Sequence, residues 1–244
     1  MRRSELLLSM MFLSVIAHGE TRYGDMLCDG MSWGYRGNYV SESYTIEGSK
    51  VVNGKTYGLL HINRVEYDGA RGMEVSSSDP YQATIGIRDE GGRMYVSQED
   101  YLGLFTLDYR WYAIADGNDL PYETTEDGEL VLYDYTKNVG DVYCQMADGT
   151  TVTVTKTSVM KTEDGMKRRR LTLSNGLELL EGVGCTNSCG LMLFWLNTKP
   201  GYWDNGVFTR FEMKSADGTY TTILAQDFST GGQSHCAIPS EKKL

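Results

Sequence analysis

Between residues 129 and 192 the chain runs in short stretches rich in Val, Thr, Tyr and Leu, cut by Val139-Gly140-Asp141, Asp148-Gly149, Asp164-Gly165 and Asn175-Gly176. Extended apolar stretches separated by such pairs are how antiparallel strands joined by tight turns are written. The same signature surrounds Asn53-Gly54, Gly91-Gly92 and Asp217-Gly218, each flanked on both sides by a strand-like run. The expected fold class is therefore all-β: an antiparallel meander of hairpins forming a sandwich or open barrel, with little helix.

The register of one hairpin follows from its side chains. A two-residue loop at Asn175-Gly176 would set Thr172 against Leu179 and Arg170 against Glu181, mixing polar and apolar residues on each face. A three-residue loop, Ser174-Asn175-Gly176 with Gly176 left-handed, sets Leu173 against Leu177, Leu171 against Leu179 and Arg169 against Glu181. A slip of one residue would turn the leucines outward, so burial selects the second register. Arg169 and Glu181 are then expected as a charge-assisted pair at the end of the apolar face. Such a pair is either a binding-site guanidinium or a structural bridge, and the structural role is the expectation for Arg169, Glu181 and Gly176.

The amino terminus adds a compartment. Met1-Arg2-Arg3 precedes an apolar run from Leu6 to Ile16, followed by Ala17-His18-Gly19. A basic start, an apolar run too short to cross a bilayer and small residues where a signal peptidase reads predict a secretory leader over residues 1–19. A single β-rich domain is expected over residues 20–244, with a frayed tail from about 229 to 244. The chain carries 33 acidic against 23 basic side chains, net −10. Losing Arg2, Arg3 and Glu5 with the leader takes the net charge to −11, which argues against nucleic acid or an anionic membrane as partner. No later apolar run has the length of a membrane span.

Several segments carry candidate chemistry. Residues 20–40 read as irregular and Gly-rich, with Trp33, Tyr35 and Tyr39 packing on the first strands, and residues 68–80 read as a mobile loop. The stretch 101–112 (YLGLFTLDYRWY), read as extended, places Tyr109 and Trp111 on one face. With Tyr202 and Trp203, on a loop after Lys199-Pro200-Gly201, these are the candidate ligand-binding aromatics; the competing role for each is core packing or cover of a sheet edge. Asp116, Asn118, Asp119, Glu123, Glu126, Asp127 and Glu129 form an acidic loop. Calcium is the one ion such a loop could attract, but the spacing departs from the twelve-residue calcium loop, so a solvated loop and no cofactor are expected. Of five cysteines, Cys185 and Cys189 are close enough for a local disulfide in an exported chain, with two reduced thiols as the alternative; zinc would need a second ligand pair.

Leu132-Tyr133-Asp134-Tyr135, Val139-Gly140-Asp141, Met166 through Arg170, Leu180-Glu181-Gly182-Val183-Gly184 and Gly190-Leu191 resemble the motif series of a group of uncharacterised secreted Bacteroidota proteins. The upstream run from Val52 to Tyr57 and residues 88–95 fit the same group, so the resemblance spans roughly residues 45–225. Leu180 stands where an aromatic is usual, and Cys185 where Ser is common. The resemblance implies export and a β-rich fold; it carries no functional residue.

Catalytic motifs are sparse. Beyond the leader, histidine occurs only at His61 and His235, and no Gly-x-Ser-x-Gly elbow, phosphate loop or dinucleotide fingerprint appears. The leading expectation is a secreted, non-catalytic β domain binding protein or glycan at the bacterial cell surface or in the periplasm. The alternatives are a secreted hydrolase using paired carboxylates or His61 and His235, and a structural or assembly subunit.

Overall fold

In the computed structural model, residues 22, 24–36, 40–68, 73–74, 81–101, 123–145, 149–187, 207–215 and 217–225 are described. Among them two antiparallel sheets account for nearly all the regular structure. The larger contains β1 (Met31–Arg36), β2 (Val40–Val52), β3 (Lys55–Asp68), β5 (Tyr81–Glu90), β6 (Arg93–Ser97), β7 (Glu129–Asp134), β13 (Val207–Lys214) and β14 (Tyr220–Ala225). Its order is β14-β13-β1-β2-β3-β5-β6-β7, with β4 (Met73–Glu74) paired to the end of β3. The smaller sheet runs β12-β11-β10-β9-β8, from β8 (Val142–Gln145), β9 (Thr151–Lys161), β10 (Lys167–Leu173), β11 (Glu178–Leu180) and β12 (Gly184–Cys185). The fold is an all-β, sandwich-like arrangement, as the hairpin pattern predicts.

The turns carry the geometry their residues require. Asn53 (φ 51°) and Gly54 (φ 76°) are both left-handed, the turn whose twist matches that of the flanking strands β2 and β3. In the β10–β11 hairpin Leu171 faces Leu179, Thr172 faces Glu178, and the Leu173 amide donates to the Leu177 carbonyl at 2.8 Å. The loop therefore has three residues and the predicted register, and Leu171, Leu173, Leu177 and Leu179 are all buried. Each such side chain stabilises the fold by about 1.5–3 kcal/mol. Alternation also buries Leu60, Ile62, Ile85, Ile87, Met94 and Val96 from the larger sheet, and the two sets merge into one apolar cluster. Polar stitches cross it: the Tyr35 hydroxyl donates to the Cys185 carbonyl at 3.1 Å, and the Cys185 amide donates to the Tyr133 oxygen at 3.3 Å.

Three local expectations are corrected. Residues 31–36 are a strand rather than irregular chain, because β2 and β13 pair with both edges and bury Trp33 and Tyr35 between them. Residues 73–74 form β4, so the 68–80 segment is not a uniform loop. Tyr101 is buried at the end of one helical turn, residues 98–101, and does not begin an extended strand. The leader, residues 191–196 and the tail from 229 lie outside the described residues.

The Arg168 guanidinium, with no solvent exposure, ties the sheets together. Its Nε donates to Thr162 Oγ1 at 3.0 Å, Nη1 to the Glu181 carbonyl at 3.1 Å and Nη2 to Asp164 Oδ2 at 2.7 Å, while the group lies 5.5 Å from the Phe211 ring centroid on β13. Gly182 leaves room for it: a Cβ there would sit 2.6 Å from Arg168 Nη1 and 3.0 Å from Met26. Gly176 has a similar left-handed φ but nothing within 4 Å. Gly176→Ala should therefore cost only the backbone strain, about 1–2 kcal/mol, while Gly182→Ala should cost distinctly more. Equilibrium urea unfolding of the two variants checks this ordering, and equal losses would contradict the close approach.

Candidate functional site

Alternation along β3, β5 and β6 turns Tyr57, Arg88 and Tyr95 away from the core, onto the face opposite Leu60, Ile87 and Val96. Solvent is the ordinary fate of an arginine on such a face. Here Arg88 and Tyr57 are buried, and so is Glu129 at the start of β7, which pairs with Ser97 on β6. The covering elements are the helical turn 98–101 and the segment 123–128. Asp100 of the turn accepts from the Gly86 amide at 2.8 Å and pairs with Lys50, fixing the turn over β5. The 123–128 segment lies along β7, where the Val131 amide donates to the Glu123 carbonyl at 2.9 Å and the Glu129 amide to Thr125 Oγ1 at 3.1 Å.

Under this cover the charges are closely matched. Arg88 presents a two-pronged fork to Glu129, Nε to Oε1 at 2.6 Å and Nη2 to Oε2 at 2.7 Å, and its Nη1 reaches Glu90 at 2.9 Å. The Tyr57 hydroxyl donates to Glu129 Oε1 at 2.5 Å, and Lys55 Nζ bridges Glu129 Oε2 at 2.6 Å and Asp127 Oδ2 at 2.7 Å. The Arg88 guanidinium lies 4.4 Å from the Tyr95 ring centroid, within cation–π range. Burial by itself would push the Glu129 carboxyl up, but the donors Arg88, Lys55 and Tyr57 outweigh it and hold the group at about 2. Burial and then the bond to Glu129 push the Tyr57 phenol up to about 12. The bond to Glu129 raises Arg88, and those to Asp127 and Glu129 raise Lys55. Glu129 is thus held ionised, and Tyr57, Arg88 and Lys55 protonated, across the neutral range, so none of these four is poised to exchange a proton near pH 7.

An open cleft of about 450 Å³ adjoins the cluster, lined by Val52, Asn53, Tyr57, Ser97, Gln98, Glu99, Asp127 and Gly128. Amides, hydroxyls and carboxylates share this lining with at least as much apolar surface, and Tyr57 and Asp127 connect it to the Glu129 network. Such a surface can exchange hydrogen bonds with a polar ligand without moving its own charges.

The expected site residues distribute unevenly. Glu129, read as a ligand of a solvated acidic loop, is instead a buried strand residue whose oxygens are engaged by Arg88, Lys55 and Tyr57; Asp127, at the cleft, is engaged by Lys55. Arg169 and Glu181 adjoin each other, but through the backbone: Glu181 Oε2 accepts from the Arg169 amide at 2.9 Å, and the guanidinium turns to the Lys137 carbonyl at 2.6 Å and Asn138 Oδ1 at 2.9 Å. The geometric reason is that Glu181 lies just past β11 and curls back over the strand end. His61 is exposed and bonded to the Glu47 carbonyl and Thr84. Tyr109, Trp111, Tyr202, Trp203, Cys189, His235, Asp116, Asn118 and Asp119 lie outside the described residues, and with them the expected Cys185–Cys189 bridge and the first half of the acidic loop. Lys55, Tyr57 and Arg88 were not singled out from the sequence, because alternation assigns Arg88 to solvent and nothing local marks its partner 41 positions away.

Comparison with known proteins finds no matching family model, no matching curated protein and no matching solved structure. Among the described residues no helix is long and apolar enough to cross a membrane, which leaves membrane-crossing strands unaddressed.

Glu129→Gln should destabilise the fold by about 3–5 kcal/mol, because it leaves buried Arg88 without its counter-charge. The Glu129 contribution is fully present above its ordinary value of about 4.5 and is lost as pH falls through about 2. Urea midpoints measured from pH 7 down to pH 2 should therefore converge for wild type and Glu129→Gln below about 4.5; a constant gap would show that the ion pair is not the source of the difference.

Proposed function

We propose that this chain is an exported, non-catalytic β domain that binds a glycan in the cleft beside Glu129, at the bacterial cell surface or in the periplasm. The observation that carries this reading is the union of an open cleft that carries polar groups with an adjoining network of paired charges. Asn53, Ser97 and Gln98 offer the amide and hydroxyl groups that sugar hydroxyls pair with, and Glu99 and Asp127 offer carboxylate acceptors. The two carboxylates disfavour an anionic ligand, which narrows the class to neutral or amino sugars. A hydrolase would need an acid or base with a value near working pH, and Glu129 is held far from it. Export is supported by the basic and apolar start of the chain.

Calorimetric titration with a panel of neutral and amino oligosaccharides tests the reading. Gln98→Ala with Glu99→Ala should weaken the best ligand about tenfold or more, near 1.4 kcal/mol, with the thermal midpoint unchanged. Turnover of any sugar in the panel, abolished by Glu99→Gln or His61→Ala, would overturn the non-catalytic reading; unchanged affinity in the double variant would remove the cleft.

A further inference from the structure

Strand edges differ in how they are covered. The outer edge of β14 meets the β9–β10 turn, where the Glu163 amide donates to the Ile223 carbonyl at 3.4 Å. The outer edge of β7 is covered by the 123–125 segment, through the bridge between Thr124 and Leu130 and the bonds of Val131 and Thr125. β9 is different. β8 pairs with it only from Thr151 to Thr153, and the Gly140 and Asp141 backbone extends that cover to Val154. Over residues 155–161 the only strand beside β9 among the described residues is β10, on the opposite edge. This leaves about 20 Å of ladder edge without a strand partner.

The side chains along that segment have an unusual balance. Lys161 stands directly opposite Lys167 across the β9–β10 pair, both exposed, and neither has an ion-pair partner among the described residues. Like charges placed directly opposite each other are unfavourable. Lys156 is also exposed, and Val159, which shares a sheet face with Lys161, is 68% exposed. Lysine on an edge strand ordinarily discourages pairing, by making a like or apolar strand costly to add. The same charges favour a strand of opposite sign. In a chain of net charge −10, this hairpin is a local reversal of sign, and exposed Val159, on the same face as Lys161, offers an apolar contact beside that lysine.

We infer that the outer edge of β9 over residues 155–161 is a docking site for an extended, acidic segment of a partner protein, added as one further strand of the smaller sheet. Backbone amides and carbonyls of β9 supply the ladder, Lys161 and Lys167 on one face and Lys156 on the other select carboxylates, and Val159, on the face of Lys161, contacts an apolar side chain beside it. The surface is separate from the glycan cleft and stands whether or not the cleft reading holds.

The test uses the full chain with a seven-residue peptide of valine and glutamate ordered to set glutamate opposite Lys156 and Lys161 and valine opposite Val159, followed by fluorescence anisotropy and by amide exchange over β9. Three control probes accompany it: the same peptide with lysine for glutamate, the acidic peptide N-methylated at alternate amides, and a heparin oligosaccharide. Binding of the acidic peptide at least tenfold tighter than the lysine and N-methylated forms, with slowed exchange within 155–161, is expected. The Lys161→Glu, Lys167→Glu double variant, altered only at exposed positions, should reverse the preference between the acidic and basic peptides while leaving the thermal midpoint and oligosaccharide binding in the cleft as in wild type. No detectable binding at millimolar peptide, equal binding of the N-methylated form, or heparin competing with both peptide forms alike would overturn strand addition. Dimerisation in sedimentation that is lost in the double variant would overturn it in favour of a second copy of this chain.

Discussion

A single buried guanidinium sets the relation between the two sheets. Arg168 projects from β10 with no exposure, so its charge has to be met entirely by the protein. The turn that closes its own hairpin supplies Thr162 and Asp164, the chain after β11 supplies the Glu181 carbonyl, and β13 of the other sheet supplies the Phe211 ring. Those partners come from three places in the chain, and neither the turn nor the Glu181 carbonyl could move without leaving a donor unmet. The apolar core drives the layers together; the Arg168 fork fixes the turn and strand end of the smaller sheet, and its charge reaches the larger sheet through the Phe211 ring.

The second buried charge network has a different character. Arg88 and Glu129 lie on the outer face of the larger sheet, under a cover made of one helical turn and a short irregular segment. Placing ions there holds the cover down, since Lys55 ties Asp127 of the covering segment to Glu129 of the strand below. The cleft forms at the margin of this cover. Its margin is thus held by a network in which Arg88 and Lys55 are each paired with two carboxylates.

The sequence words Leu132–Tyr135 and Leu180–Gly184 fall mainly on structural positions. Tyr133 and Tyr135 stack with centroids 5.7 Å apart, Asp134 accepts from Thr136, and Gly182 makes way for Arg168. Such words are explained by the sandwich itself.

Local sequence determined the hairpins. Period-two alternation and the left-handed turn pairs are properties of neighbouring residues, so Asn53-Gly54 and the three-residue loop ending at Gly176 could be placed, and the burial of Leu171, Leu173, Leu177 and Leu179 followed from register alone. The sites were not legible in the same way. Whether the outer face of a strand is wet or covered depends on segments distant in sequence. Only the tertiary structure decided that Glu129 leaves its acidic loop for a buried fork with Arg88, that Arg169 turns to the Lys137 carbonyl and Asn138 side chain while Glu181 bonds its amide, and that β8 stops short, so that among the described residues no strand follows it along the far end of β9. Strand formation is a short-range matter of side-chain period, whereas the fate of a charge depends on what is packed over it.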